Sequence, residues 1–143
     1  MHSTSEEAVH AALAGRLAAI DGAIGRLEAA VGAPAEIDVA EVLEPAIAHV
    51  RETMRAYLAA AGDKAAPAPD ADVLEVWKAL VKGDPAWNAI RDSCRELVYY
   101  RNCLAAARRD ALPAAAQRMA VRLARHVHLY VRTRCVREGR VAD

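Results

Sequence analysis

Between residues 101 and 140 the chain places ten arginines against two acidic residues. The heart of this stretch, residues 120–140, reads AVRLARHVHLYVRTRCVREGR. Guanidinium groups in such number either grip phosphates or pair with carboxylates on a protein surface. On a helical wheel Met119, Ala120, Leu123, Ala124, Val127, Tyr130, Val131 and Cys135 form a broad core face. Opposite lie Arg118, Arg122, Arg125 and Arg132, interleaved with Val121, Leu129 and Val136. A helix shaped for phosphates surrounds its arginines with small polar residues and exposes few aliphatics. Arginine stems lying over aliphatic side chains are instead the pattern of a protein interface. Tyr130 is the only aromatic on this helix, so it offers no stacking platform for single strands. The expectation is that several of these four arginines meet carboxylates, with Glu28, Glu41, Glu44 and Glu52 as candidate partners. Binding of nucleic acid is the alternative.

A second position with chemical potential is Arg101, within Tyr99-Tyr100-Arg101-Asn102-Cys103. A wheel through Trp87, Ile90, Cys94, Leu97, Val98, Leu104 and Ala105 sets Arg101 in the middle of an apolar face. A guanidinium there needs a carboxylate, carbonyls or a bound anion. The expected solution is an ion pair, with an acid from the first two helices as the candidate partner, and the alternative is an anion pocket lined by Tyr100 and Arg101. Metal chemistry is not expected. Carboxylate-bridged sites in helical proteins draw on two Glu-x-x-His motifs, and only Glu7 to His10 fits that pattern. No nucleophile–base pair, glycine-rich phosphate loop or Cys-x-x-Cys motif occurs, so neither a catalytic residue nor a cofactor is assigned.

The elements that must carry these side chains are legible from periodicity. Ser3–Glu6 and Thr4–Glu7 both offer a capping box. Behind them Val9, Leu13, Leu17, Ile20, Ile24, Leu27 and Val31 recur at heptad spacing, which predicts one long helix. A break at Gly32–Ala35 precedes a second stripe, Val39, Leu43, Ile47, Val50, Met54 and Tyr57/Leu58, starting behind Asp38 and ending near Ala61. Pro45 inside it predicts a kink or a two-piece helix. Residues 62–71 form a linker with two prolines. A short helix from Val73 to Lys82 follows, then a helix from Pro85 to about Arg109 behind the Asp84 cap, and a last one from Pro113 to about Arg137. The expected fold is all-α: an antiparallel four-helix bundle with one short additional helix, in a single domain spanning 1–143. Residues 1–61 would be an acidic hairpin and 72–143 the basic part. Residues 1–72 carry 5 Lys+Arg and 12 Asp+Glu, and residues 73–143 carry 14 and 7, so −7 faces +7. Two halves that attract each other explain such cancellation.

The first helix carries a further repeat. Ala11, Gly15, Ala18, Gly22, Gly25 and Ala29 recur at spacings of 4, 3, 4, 3 and 4 opposite the large apolar stripe. Glycine inside a helix costs about 1 kcal/mol against alanine, whereas small residues let another backbone approach. Gly15, Ala18, Gly22 and Gly25 therefore form a candidate self-association surface. Arg122-Leu-Ala-Arg-His-Val-His128 resembles, in its Arg-x(4–6)-His spacing, the helical-bundle ribonucleases of the HEPN type, in which two copies meet at a dimer interface. The resemblance spans seven residues, and leucine follows the arginine here where that family often has a polar residue. It implies ribonuclease activity as an alternative function. The three cysteines have no regular spacing and point to a reducing compartment. With no apolar run of about 18 residues and no secretory start, the chain is expected in the cytosol. The expected function is that of an interaction or accessory protein without catalytic activity, acting as a homodimer or on an acidic protein partner.

Overall fold

The computed structural model describes residues 2–143, with side chains from residue 5 onward. It is all-helical among them. Five α-helices, α1 (His2–Gly32), α2 (Val39–Ala61), α3 (Val73–Val81), α4 (Arg91–Ala105) and α5 (Ala116–Arg137), are joined by loops. Two of the connections hold 3₁₀ turns, Pro85–Ile90 and Arg109–Ala111. None of the helices is long and apolar enough to cross a membrane. The capping boxes at Ser3 and Thr4 involve side chains outside the described ones.

α2 and α5 are the central pair, with α1 on one flank and α3 and α4 on the other. Cross-helix bonds fix their directions. Gln117 at the start of α5 donates to Glu36, just before α2, at 3.1 Å, and Tyr57 near the end of α2 donates to Glu138, just past α5, at 2.7 Å. These two helices thus run side by side in the same sense. α1 runs against α5: Arg118 reaches the Val31 carbonyl, Arg125 reaches Glu28, and His128 reaches the Leu17 carbonyl.

α2 forms where the sequence places it. Asp38 caps it, accepting from the Ala40 N–H at 3.1 Å, and Gly62 ends it at φ 70°. Pro45 lies within a single continuous helix, which removes the two-piece form of the expectation. It falls in the second turn and is half-buried, while Glu41, whose carbonyl loses its partner, is exposed to solvent, which limits the cost of the missing N–H. Every member of the α2 stripe is buried. Among the described side chains of α1 only Leu13, Leu17, Ile20 and Ile24 are buried, while Val9 is 39% exposed. At about 1.5 Å per residue, the first turns of this helix project beyond the body of the fold.

The fourth helix departs from expectation. Pro85–Ile90 is 3₁₀, and the α-helix ends at Ala105, short of Arg109. A 3₁₀ segment turns each residue roughly 20° further than an α-helix does, so a single wheel drawn from Trp87 loses phase. The buried face of α4 is Ser93, Cys94, Leu97, Tyr100 and Cys103, and Ala105 is exposed. The last helix also begins later, at Ala116.

Two helix ends use the same device with different residues. After α5, the Gly139 N–H bonds the Val136 carbonyl and the Arg140 N–H the Cys135 carbonyl, with Gly139 at φ 72°. After α4, Ala107 and Arg108 make the equivalent bonds to Leu104 and Cys103, but an alanine holds φ 56°. This left-handed conformation is strained for a residue with a Cβ. Ala107→Gly is therefore expected to raise the unfolding free energy by about 0.5–1 kcal/mol, and Gly139→Ala to lower it by a similar amount. Urea unfolding of both variants beside the parent checks this, and two shifts of the same sign would contradict it.

Candidate functional site

The arginines of α5 divide into two groups. Arg125 is held from both sides: it donates to Glu28 at 2.9 and 3.1 Å and to Asp21, spanning two turns of α1. Its hydrogen bonds to Glu28 and then Asp21 raise its pKa, and the Arg125 bond holds the Asp21 carboxyl below its ordinary value. Arg118 reaches only a carbonyl, that of Val31 at 3.3 Å. Neither Arg122 nor Arg132 forms an ion pair among the described residues. Of the acids expected opposite, Glu28 meets Arg125, while Glu52 pairs with Arg16 at 3.3 Å. The expected carboxylate contacts of α5 are thus made within the chain by Arg125 alone of the four. Arg122 is exposed at the edge of the same α1–α5 seam, beside Glu28, Val31, Arg118 and Arg125, without forming a pair there. Val121, expected beside them on the outside, is 2% exposed and belongs to the core.

Arg134, not singled out by the wheel, is more deeply engaged. It donates to Asp84 and Glu138 at 3.0 Å each and lies over the Trp87 ring, 4.4 Å from its centre. Burial alone would lower its pKa, yet the Asp84 and Glu138 carboxylates more than reverse this and raise it. Glu138 also accepts from Tyr57 and from Arg140 at 2.7 Å each. Burial pushes the Tyr57 hydroxyl up to about 12, helped by the adjacent Glu138. Asp84 was legible as a helix cap and does accept from the Ala86 N–H. Its second role as a guanidinium anchor has no local sequence signal.

Arg101 makes a two-point pair with Asp72, at 3.0 Å through one nitrogen. The partner comes from the start of α3, not from the first two helices, and Asp72 leaves its own cap position without a side-chain bond. Tyr100 does not share a pocket with Arg101. It is 1% exposed and turned into the core, where burial and then Glu96 push its hydroxyl up to about 12.

The small-residue row of α1 is not covered by the chain. Gly15, Ala18 and Gly22 are exposed and Gly25 is half-buried. A Cβ added at Gly15 or Gly25 would meet nothing within 4 Å, and one at Gly22 only the Arg26 guanidinium at 3.7 Å. The ribonuclease-like pair is also separated. Arg122 is exposed, while His128 is 2% exposed with its Nε2 3.1 Å from the Leu17 carbonyl. Burial lowers the His128 pKa. Among the described residues no group of three or more His, Cys, Asp and Glu side chains converges on a metal site.

The side chains of Arg101 and Asp72 are 30% and 38% exposed, so their pair is screened more than a buried one. Arg101→Ala should cost about 1–2 kcal/mol at pH 7. The Arg101 bond holds the Asp72 carboxyl below its usual 3.8. A depressed carboxylate contributes stability above its unfolded pKa and loses it as the pH falls through the folded one. Parent and variant should therefore converge below pH 3.8. Thermal melts at pH 7, 4 and 2.5 check this, and a difference undiminished by acid would show that Asp72 is not the partner that matters. The chain matches no protein-family model, no curated protein and no solved structure.

Proposed function

We propose that the protein is a small interaction or accessory protein, without chemistry of its own, that works as a homodimer joined through the outer face of α1. We read its helices as an antiparallel four-helix bundle, α1, α2, α4 and α5, in which the parallel α2 and α5 form the diagonal and α1 and α4 flank them, with α3 as the additional short helix. One observation carries the proposal. Gly15, Gly22 and Gly25 weaken α1 by about 1 kcal/mol each against alanine, and no contact within the chain requires them. A second copy whose backbone lies close against this row supplies a reason for residues without side chains. The unpaired Arg122 and Arg132 give the same protein a means of choosing an acidic partner, since exposed pairs set orientation and partner choice more than stability.

A nucleic-acid reading is the second choice, favoured by the same unpaired arginines on α5. The ribonuclease version asks Arg122 and His128 to converge on one phosphate, and the burial of His128 weighs against it.

Gly22→Leu should shift the protein toward monomer in light scattering across a concentration series, while Ser5→Leu at the overhanging end should not. A parent that is monomeric at every concentration, with Gly22→Leu more stable, would sink the dimer. Titration with generic RNA and DNA at rising salt separates the second reading. Submicromolar binding that weakens steeply with salt and is lost in an Arg122→Glu, Arg132→Glu double variant would replace the proposed function.

A further inference from the structure

A groove of about 540 Å³ runs between α1 and α5 and is bordered by the segment that follows α5. Its walls are Ala14 and Ala18 on one side and Leu129 and Val141 on the other. Leu129 is 51% exposed, the most exposed large hydrophobic side chain among those described. The groove exists because α1 presents alanines here; larger side chains at 14 and 18 would fill it. An apolar trough with a few polar groups at one place is the usual form of a small-molecule site.

Two polar features mark that place. Arg132 lines the groove and pairs with no carboxylate among the described residues. Asp21, which also lines the groove, is already bound by Arg125. His128 lies in the floor, 2% exposed; its Nε2 donates to the Leu17 carbonyl and its Nδ1 has no partner. A buried acceptor left empty is uncommon in a folded protein, but a carboxylate has no proton to offer it, so Arg132 alone places the charged head. An uncommitted guanidinium beside an aliphatic trough fits a molecule with an anionic head and an apolar body.

We propose that this groove binds a free amphiphilic carboxylic acid, its carboxylate on Arg132 and its aliphatic body between Leu129, Val141 and the two alanines. Arg132 supplies a planar two-point donor for the carboxylate. Leu129 is covered when the body enters. His128, fixed on Leu17, forms the floor that stops the ligand short of the core.

Decanoate below its aggregation concentration is the probe, titrated by calorimetry and by amide chemical shifts on the full chain. The expected result is one saturable site, with shifts clustered at Ala14, Ala18, Leu129 and Val141. Arg132→Ala should weaken binding at least tenfold, and Leu129→Gln comparably. Arg122→Ala, at another arginine of α5 that forms no ion pair among the described residues, should leave binding within twofold of the parent. Because Arg132 makes no ion pair, its variant is expected to fold, and its amide spectrum confirms that it has. Decyltrimethylammonium, with the same body and the opposite charge, should not saturate the site. Equal affinity for both amphiphiles, or decanoate binding unchanged in Arg132→Ala, overturns the proposal. So does co-sedimentation with phosphatidylglycerol vesicles without any saturable decanoate binding, which would make the groove a lipid-surface contact.

Discussion

The packing of Trp87 is the constraint around which the rest of the molecule is arranged. The chain has no Phe and only two Trp, so one bulky side chain must fill space that alanine and valine cannot. Trp87 is fully buried, with Tyr57 edge-on at 4.8 Å, Tyr130 edge-on at 5.6 Å and Arg134 over its face. These neighbours come from α2 and α5, while Trp87 sits in the turn that leads into α4. The backbone around it is tied in as well: the Trp77 indole donates to the Trp87 carbonyl and Tyr130 to that of Ala86. Edge-on aromatic pairs and cation–π contacts contribute about 0.5–2 kcal/mol each beyond area burial. Here they also fix where three helices end or begin.

The opposite charges of the two halves are used in the same way. Arg125 joins α5 to α1, Arg109 joins the α4–α5 connection to Asp38 at the start of α2, and Arg101 joins α4 to the start of α3. All are at least partly exposed, so each contributes little by itself. Together they specify which helix lies beside which and in which direction. A basic segment following an acidic one is thus largely a docking code within the chain. Arg122 and Arg132 are the part of that code the chain leaves unread.

The sequence made much of this legible, and the misses have physical causes. The stripes of α1 and α2 and the Asp38 cap were readable because residues 39–61 hold one helical period from cap to Gly62. α4 was misread because a 3₁₀ stretch breaks the phase between Trp87 and Cys94, a change that composition does not reveal. His128 is absent from the core face drawn from the sequence, which was built from apolar side chains. Yet Val121, Ala124, His128, Val131 and Cys135 recur at spacings of 3, 4, 3 and 4, a pattern that places His128 in the core. Pairs such as Arg134 with Asp84, separated by 50 residues, have no local signature. The groove beside Arg132 depends on alanines facing leucine and valine across two helices, which only three-dimensional packing brings together.

The narrow attachment of α1 has a kinetic consequence. This helix is bound by four buried side chains and a few partly exposed ion pairs, whereas α2, α4 and α5 close around Trp87. Regions with few buried apolar contacts open with less free energy than the global core. By this criterion α1 is expected to open at a lower free energy than the α2–α5 core around Trp87. Detachment bares the flanks of α2 and α5 that Leu13, Leu17, Ile20 and Ile24 normally cover. Those flanks are complementary to the same four residues whichever copy of the chain supplies them, so any exchange of helices between copies would begin with the opening of α1.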